Sequence, residues 1–234
     1  MPSSETIVIS VGGSLIVPAK GGGAPDAVFL KSFRSFIERG VREERRFVCI
    51  TGGGRTTRTY QKAASAVFDL NDEDLDWLGI HATRLNAHLV RTILRDSAHP
   101  VIVTNPDDVL DVPQDASVIV AAGYRPGSST DLRAVQIATH LGAHRVVNLS
   151  DIDYAYTADP DEDPSAAKIE AMSWNEFLAL VPAEWSPGLS SPFDPVASRE
   201  AQKNNIEVAI INGNKLEEVE KYLKGEKFIG SIIN

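Results

Sequence analysis

Three glycine-bearing loops and one acidic loop hold the residue types best suited to chemistry in this chain. The richest is Ala122-Gly123-Tyr124-Arg125-Pro126-Gly127-Ser128-Ser129-Thr130-Asp131. An apolar run, Ser117 to Ala121, leads into it, and a helical pattern from Leu132 to Leu141 leaves it. Such a loop offers backbone N–H groups, hydroxyls and the positive end of a helix to one small volume. All three favour an anion, and phosphate is the usual one. Arg125 adds a planar cation and Tyr124 a flat ring with a hydroxyl. The plainer reading is a strand-to-helix turn capped by Thr130 or Asp131. Gly12-Gly13-Ser14 and Gly52-Gly53-Gly54-Arg55-Thr56-Thr57-Arg58 repeat the theme after two other apolar runs. Successive glycines let a backbone turn sharply and let a ligand come close. Arg58, about one turn into the next helix, reads either as a phosphate contact or as a solvated surface arginine. The fourth loop, Ser150 to Pro160, is dense in carboxylates, and its Tyr154 and Tyr156 offer a flat apolar face to a base. Asp76 reads as a carboxylate at a helix start or as a buried ligand contact.

The elements that position these loops alternate in type. Thr6–Val11, Phe47–Thr51, Pro100–Thr104, Ser117–Ala121, His144–Leu149, Ile206–Ile211 and Phe228–Ile233 are apolar runs with the character of buried strands. Between them, Asp26 caps a helix from Ala27 to Arg39 that Gly40 ends, and a long helical period runs from Leu75 to Leu94 after an acidic connection, Asp69 to Asp76. Ser173-Trp174-Asn175-Glu176 fits a capping box for a helix to about Leu180. Asp194-Pro195 opens another through Gln202, and Leu216–Leu223 is the last. Strands alternating with helices predict an α/β fold, a mainly parallel sheet covered on both faces. Ligands of such sheets gather beyond the strand carboxyl ends, where all four loops fall.

Composition bounds the function. The 234 residues make one large domain or two tightly joined lobes, and 43% hydrophobic residues suit a packed core. A formal net charge of -9 argues against non-specific nucleic-acid binding. The single cysteine, Cys49, lies in an apolar run and reads as a buried small hydrophobe. No Cys/His spacing indicates zinc. Met1 to Glu5 lacks the regions of a signal peptide, and no apolar run is long enough to span a bilayer. A cytoplasmic protein without a membrane partner is expected.

In order along the chain, these segments resemble the amino-acid kinase superfamily, and within it the archaeal-type uridylate (UMP) kinases. The likeness rests on Gly12-Gly13-Ser14, Gly52-Gly53-Gly54 with Arg58, Asp76-Trp77-Leu78-Gly79-Ile80, Arg125 to Asp131, Tyr156-Thr157-Ala158-Asp159-Pro160 and Pro192-Phe193-Asp194-Pro195-Val196-Ala197, and runs from Ile7 to about Ile232. Each motif is weakly specific, and their order strongly so. The resemblance implies a single amino-acid-kinase domain over 1–234, a three-layer α/β/α sandwich with an acceptor part over roughly 1–140 and an ATP part over roughly 141–234. It implies ATP-dependent phosphorylation of UMP to UDP in pyrimidine biosynthesis, with Mg²⁺ held mainly by the ATP phosphates and no protein metal ligands. It also implies a hexamer built from dimers.

Carried over by position, the resemblance places Gly12, Gly13, Ser14, Gly54 and Arg58 on the ATP phosphates and Ser150, Asp151, Tyr156 and Asp159 around the ATP nucleoside. Gly53, Asp76 and the run Tyr124, Arg125, Pro126, Gly127, Ser128, Ser129 and Thr130 fall to UMP. Arg58, Asp194 and Arg199 take catalytic positions. A phosphate nucleophile is already largely ionised, so such a reaction needs positioning and charge stabilisation more than a base. Four positions depart from the family pattern: Val11 stands where many relatives have lysine, as archaeal-type members also lack it. Arg199 replaces a second lysine, Tyr154 a glycine and Asp151 an asparagine. Two other readings stay open: a kinase of the same fold acting on a carboxylate or isopentenyl phosphate, and a non-catalytic nucleotide- or oxyanion-binding storage or sensor protein.

Overall fold

The computed structural model describes residues 5–20, 22–158, 163–182 and 191–234. Its strands are β1 (Thr6–Val11), β2 (Arg46–Thr51), β3 (Val118–Ala121), β4 (Arg145–Ser150), β5 (Ala155–Tyr156), β6 (Lys168–Ile169), β7 (Ala171–Met172), β8 (Glu207–Asn212) and β9 (Ser231–Ile233). Seven of them form one sheet in the order β3-β2-β1-β4-β8-β9-β7, while β5 and β6 pair separately. Every pairing in the larger sheet is parallel except β8 with β9.

Helices cover both faces: α1 (Gly13–Ile16), α2 (Ala27–Arg42), α3 (Gly54–Ser65), α4 (Asp72–Ile93), α5 (Thr130–Leu141), α6 (Trp174–Leu180), α7 (Pro195–Lys203) and α8 (Leu216–Leu223), with a 3₁₀ turn at Pro106–Asp111. Alternate strand residues feed two separate cores, as a period of two requires. Ile7, Ile9, Val11, Phe47 and Cys49 pack with Phe33, Phe36 and Ile37 of α2, Val90 of α4 and Val219 of α8. Val8, Val48, Ile50 and Val146 pack on the other face with Val135 of α5, Phe177 of α6 and Ala201 of α7. The result is a three-layer α/β/α sandwich. Cys49 is fully buried, which pushes its thiol up to about 12 and leaves it inert.

The structure corrects four local expectations. Pro100–Thr104 is not a strand; the segment meets β3 only through isolated bridges at Ala98 and Val103, because four residue steps from His99 to Val103 stand against two from Val118 to Val120 and break the ladder. Gly40 does not end its helix but lies buried within α2, where the Phe47 ring would be 2.4 Å from a Cβ; the turn follows at Glu44, φ +61°. The acidic connection is largely helix: Asn71 caps α4 and Asp72, Glu73 and Asp74 fill its first turn, where the helix dipole favours them. The last strand is shorter than Phe228–Ile233. The capping box at Ser173 and the Asp194 cap of α7 are both present.

Candidate active site

The carboxyl ends of β1, β2, β3 and β4 open into one cleft of about 370 Å³. Two loops form its floor. The Gly12 N–H donates to the Leu149 carbonyl at 2.8 Å and the Gly52 N–H to the Val11 carbonyl at 2.9 Å, so each loop leaves its strand still tied to the neighbour. The loops then meet backbone against backbone. A Cβ on Gly13 would stand 2.1 Å from the Gly54 nitrogen, and one on Gly54, which has φ +61°, 2.0 Å from the Gly13 carbonyl oxygen. These two glycines are therefore required by each other before any ligand arrives. Helix α3 starts at this contact with Gly53 as its N-cap, and no side chain caps it. An uncapped helix start at the edge of a cleft is suited to an anion. Arg58, exposed on α3, lines the same cleft with Thr57 and Gln61.

Helix α4 braces the opposite wall. Asn86 donates its side-chain amide to the carbonyls of Gly52 (2.8 Å) and Gly53 (3.2 Å). Thr83 Oγ1 donates to the Ile80 carbonyl at 2.7 Å and accepts the Gly123 N–H at 2.8 Å. Arg84 donates to the carbonyls of Gly123 and Tyr124 at 3.2 and 3.0 Å. Asp76 Oδ2 accepts the Gly127 N–H at 2.7 Å. Burial raises the Asp76 carboxyl above its ordinary value, against the lowering effect of that N–H. One helix thus holds both the glycine triplet and the 122–131 loop.

The cap of α5 is Ser129, whose Oγ accepts the Leu132 N–H at 3.2 Å, and not Thr130 or Asp131. Asp131 is left to face inward. Its Oδ1 accepts the Ser10 hydroxyl at 2.8 Å and its Oδ2 the Asp194 N–H at 3.3 Å. Burial pushes its carboxyl up to about 6, with the nearby Asp194 carboxylate adding to the rise and the Ser10 hydroxyl opposing it. Asp194 is buried, caps α7 by accepting the Ala197 N–H at 2.7 Å, and keeps its Oδ2 without a hydrogen-bond partner among the described residues.

The sequence model of the amino acid kinase family matches residues 5–212. The chain belongs to this family. The uridylate kinase of Methanospirillum hungatei is 32% identical to it, the match covering 97% of this chain and 94% of that protein. The uridylate kinase of Hyperthermus butylicus is 34% identical, with 97% of each covered. The crystal structure of the uridylate kinase from Archaeoglobus fulgidus superposes with a TM-score of 0.80 at 27% identity, covering 97% of this chain and 99% of that one.

In this amino acid kinase the cleft gathers many of the residues expected from the sequence. Gly12, Gly13, Ser14, Gly53, Gly54 and Arg58 line its floor and one wall. Asp76, Ser128, Ser129, Thr130 and Ser150 line the rest. Tyr124 and Arg125 turn instead into a second cavity, of about 290 Å³. Pro126 and Gly127 join the two, with the Gly127 amide on Asp76. Asp151 is exposed, and Tyr156 belongs to the β5–β6 hairpin; neither lines the cleft. The Tyr154 ring is covered by Lys168, whose Nζ lies 4.9 Å from the ring centre. Asp153 is held by Lys215 at 2.7 Å and Asn212 at 2.8 Å, which lowers its carboxyl below the ordinary value. Arg199 lies on the exposed side of α7, and Asp159 lies outside the described residues. Ser10, Thr83, Arg84, Asn86 and the inward-facing Asp131 are further site residues that nothing in the loop motifs singles out. A signal existed on α4: Thr83 and Asn86 repeat the face of Asp76 among Ile80, Ala87 and Val90, so polar groups interrupt an apolar stripe at helical spacing.

Proposed function

We propose that this member of the amino acid kinase family transfers the γ-phosphoryl group of ATP to UMP, giving ADP and UDP. One observation carries the reading: a single cleft holds the glycine floor and the uncapped start of α3 on one side, and on the other the 122–131 loop drawn onto Asp76. The names of the full-length relatives agree with it.

The division of labour follows from the walls. Gly13 and Gly54 meet too closely for side chains, and Gly12 is crowded by the Leu149 carbonyl that takes its N–H, so a phosphate approaches bare backbone beside Ser14, and Arg58 adds charge at the rim. That cradle fits the metal-bound triphosphate of a donor. Mg²⁺, held mainly by the phosphates and water, would neutralise the charge that develops during transfer. Ser150 starts the donor side; Asp151, Tyr156 and Asp159 are assigned to the nucleoside and Arg199 to a catalytic position by the family resemblance and not by the lining of the cleft. Asp194, tied to Asp131, keeps the starts of α5 and α7 in register. Across the cleft, Gly53, Ser129, Thr130 and the second oxygen of Asp76 face UMP, the carboxylate accepting from ribose hydroxyls. The acceptor oxygen belongs to a phosphate that is already ionised, so alignment of the two phosphates does most of the work. In this reading roughly residues 1–140 are the acceptor part and roughly 141–234 the donor part of one domain, which works in the cytoplasm as a hexamer built from dimers. Among the described residues no helix is long and apolar enough to cross a membrane.

ADP release from ATP and Mg²⁺ tests the reading, with UMP, CMP, glutamate, aspartate and isopentenyl phosphate offered in turn. Turnover confined to UMP is expected. Turnover of another acceptor without UMP, or tight nucleotide binding with no ADP from any acceptor, overturns it.

A further inference from the structure

Arg133 enters the second cavity from the first turn of α5 and is 4% exposed. Its guanidinium carbon lies 5.4 Å from the centre of the Tyr124 ring, and that of Arg125 lies 5.5 Å from the same ring. Arg133 donates through one terminal nitrogen to Ser128 Oγ and through the other to Gln136 Oε1, and its Nε is buried without a hydrogen-bond partner among the described residues. No carboxylate forms an ion pair with it among the described residues. Burying a guanidinium on these terms is costly, and an apolar side chain would fill the space at lower cost. The cation is therefore kept for what it holds. Burial first, and the like charge of Arg125 second, draw Arg133 down to about 10, so it stays charged at neutral pH.

What it holds is the back of the acceptor loop. The Ser128 hydroxyl donates its one proton to the Arg125 carbonyl at 3.1 Å and accepts from Arg133. Ser128 also lines the main cleft, so it is the wall between the two cavities. Its proton is spent within the loop, and the hydroxyls left to donate to a ligand there are those of Ser129 and Thr130. On the cleft side the same loop is held by Asp76 and Arg84. We propose that Arg133 is a positioning residue for the acceptor: it clamps Ser128 and Tyr124 from behind and thereby sets the affinity for UMP, with Ser128 a relay and not a substrate donor. The proposal rests on the UMP kinase reading above.

Arg133→Met, Arg133→Lys, Ser128→Ala and the Arg133→Met/Ser128→Ala double variant test it, by steady-state kinetics in each substrate and by amide exchange of residues 124–128. Losing a charged, stacked hydrogen bond is expected to raise the UMP KM about 10-fold in Arg133→Met while the ATP KM stays within about twofold. Lysine recovers only part of this, since an ammonium cannot reproduce the planar fork. Ser128→Ala moves in the same direction, and the double variant is no worse than Arg133→Met alone. Exchange in the loop accelerates in all four. Equal changes in both KM values, additive effects, or unchanged loop exchange would overturn the clamp. Wild-type protein that does not phosphorylate UMP contradicts the functional reading instead, and loop exchange in Arg133→Met still decides whether the clamp exists.

Discussion

The two walls of the cleft are built to different standards. Side chains of α4 fasten both the floor and the acceptor wall to main-chain groups: Asn86 holds Gly52 and Gly53 of the floor, while Thr83 holds Gly123, Arg84 holds Gly123 and Tyr124, and Asp76 holds Gly127 of the acceptor wall. Thr83 and Asn86 are buried, and Arg133 backs the loop from the other side. The donor wall beyond Ser150 rests on a hairpin of two-residue strands and on the Asp153–Lys215 pair, whose side chains are 39% and 37% exposed. Buried bonds to main chain hold a geometry before a ligand binds; an exposed ion pair contributes little. On the proposed reading the acceptor site is therefore preorganised, and the donor side beyond Ser150 is held less tightly.

Changes that cross this divide sharpen the contrast. The largest effect is expected from Gly13→Ala, because the new methyl overlaps the Gly54 nitrogen and forces the two floor loops apart. Misplacement of reacting groups on that scale lowers kcat/KM on the order of 100-fold, with both substrates affected; near-normal turnover would mean that the loop contact does not set the alignment. Asp131→Asn comes next and reads out against pH. In the fold Asp131 keeps its proton up to about 6, whereas an unfolded chain releases it in the ordinary carboxylate range. Between those limits the native state binds more protons, so this group's contribution to stability falls as pH rises. Asparagine does not titrate, so the Tm difference should shift in the variant's favour as pH rises from about 4 to about 7. A pH-independent difference would show that Asp131 titrates normally. The smallest effect belongs to Lys215→Ala: with an exposed pair lost, the ATP KM should move less than about threefold and the UMP KM not at all. A large loss of ATP affinity would make the donor wall as rigid as its counterpart.

Much of this architecture could be read from the chain. Thr6–Val11 and Phe47–Thr51 are apolar on both faces, as strands buried in a parallel sheet are, and the alternation with helices pointed to such a sheet; the loops at their ends followed from its direction. Caps such as Asp26, Ser173 and Asp194 were legible because their chemistry is local. What could not be read depends on partners far along the chain. Gly40 looks like a helix stop until Phe47 is packed against it, and Gly13 looks like a ligand contact until Gly54 meets it. Ser129, Thr130 and Asp131 are equivalent as caps by composition, and the tertiary contact of Asp131 with Ser10 goes with the choice of Ser129. Strands of two residues, such as β5 and β7, carry no period. A lone arginine at a helix start reads as solvated, so the burial of Arg133 against Tyr124 was invisible.

The most direct test of the account is Asp76→Ala, assayed with UMP and ATP varied separately. If the acceptor wall is assembled on Asp76, losing the Gly127 contact and the acceptor for the ribose raises the UMP KM about 10-fold or more, while the ATP KM stays within about twofold. Parallel changes in both constants, or a larger change for ATP, would contradict the assignment of the 122–131 loop to the acceptor.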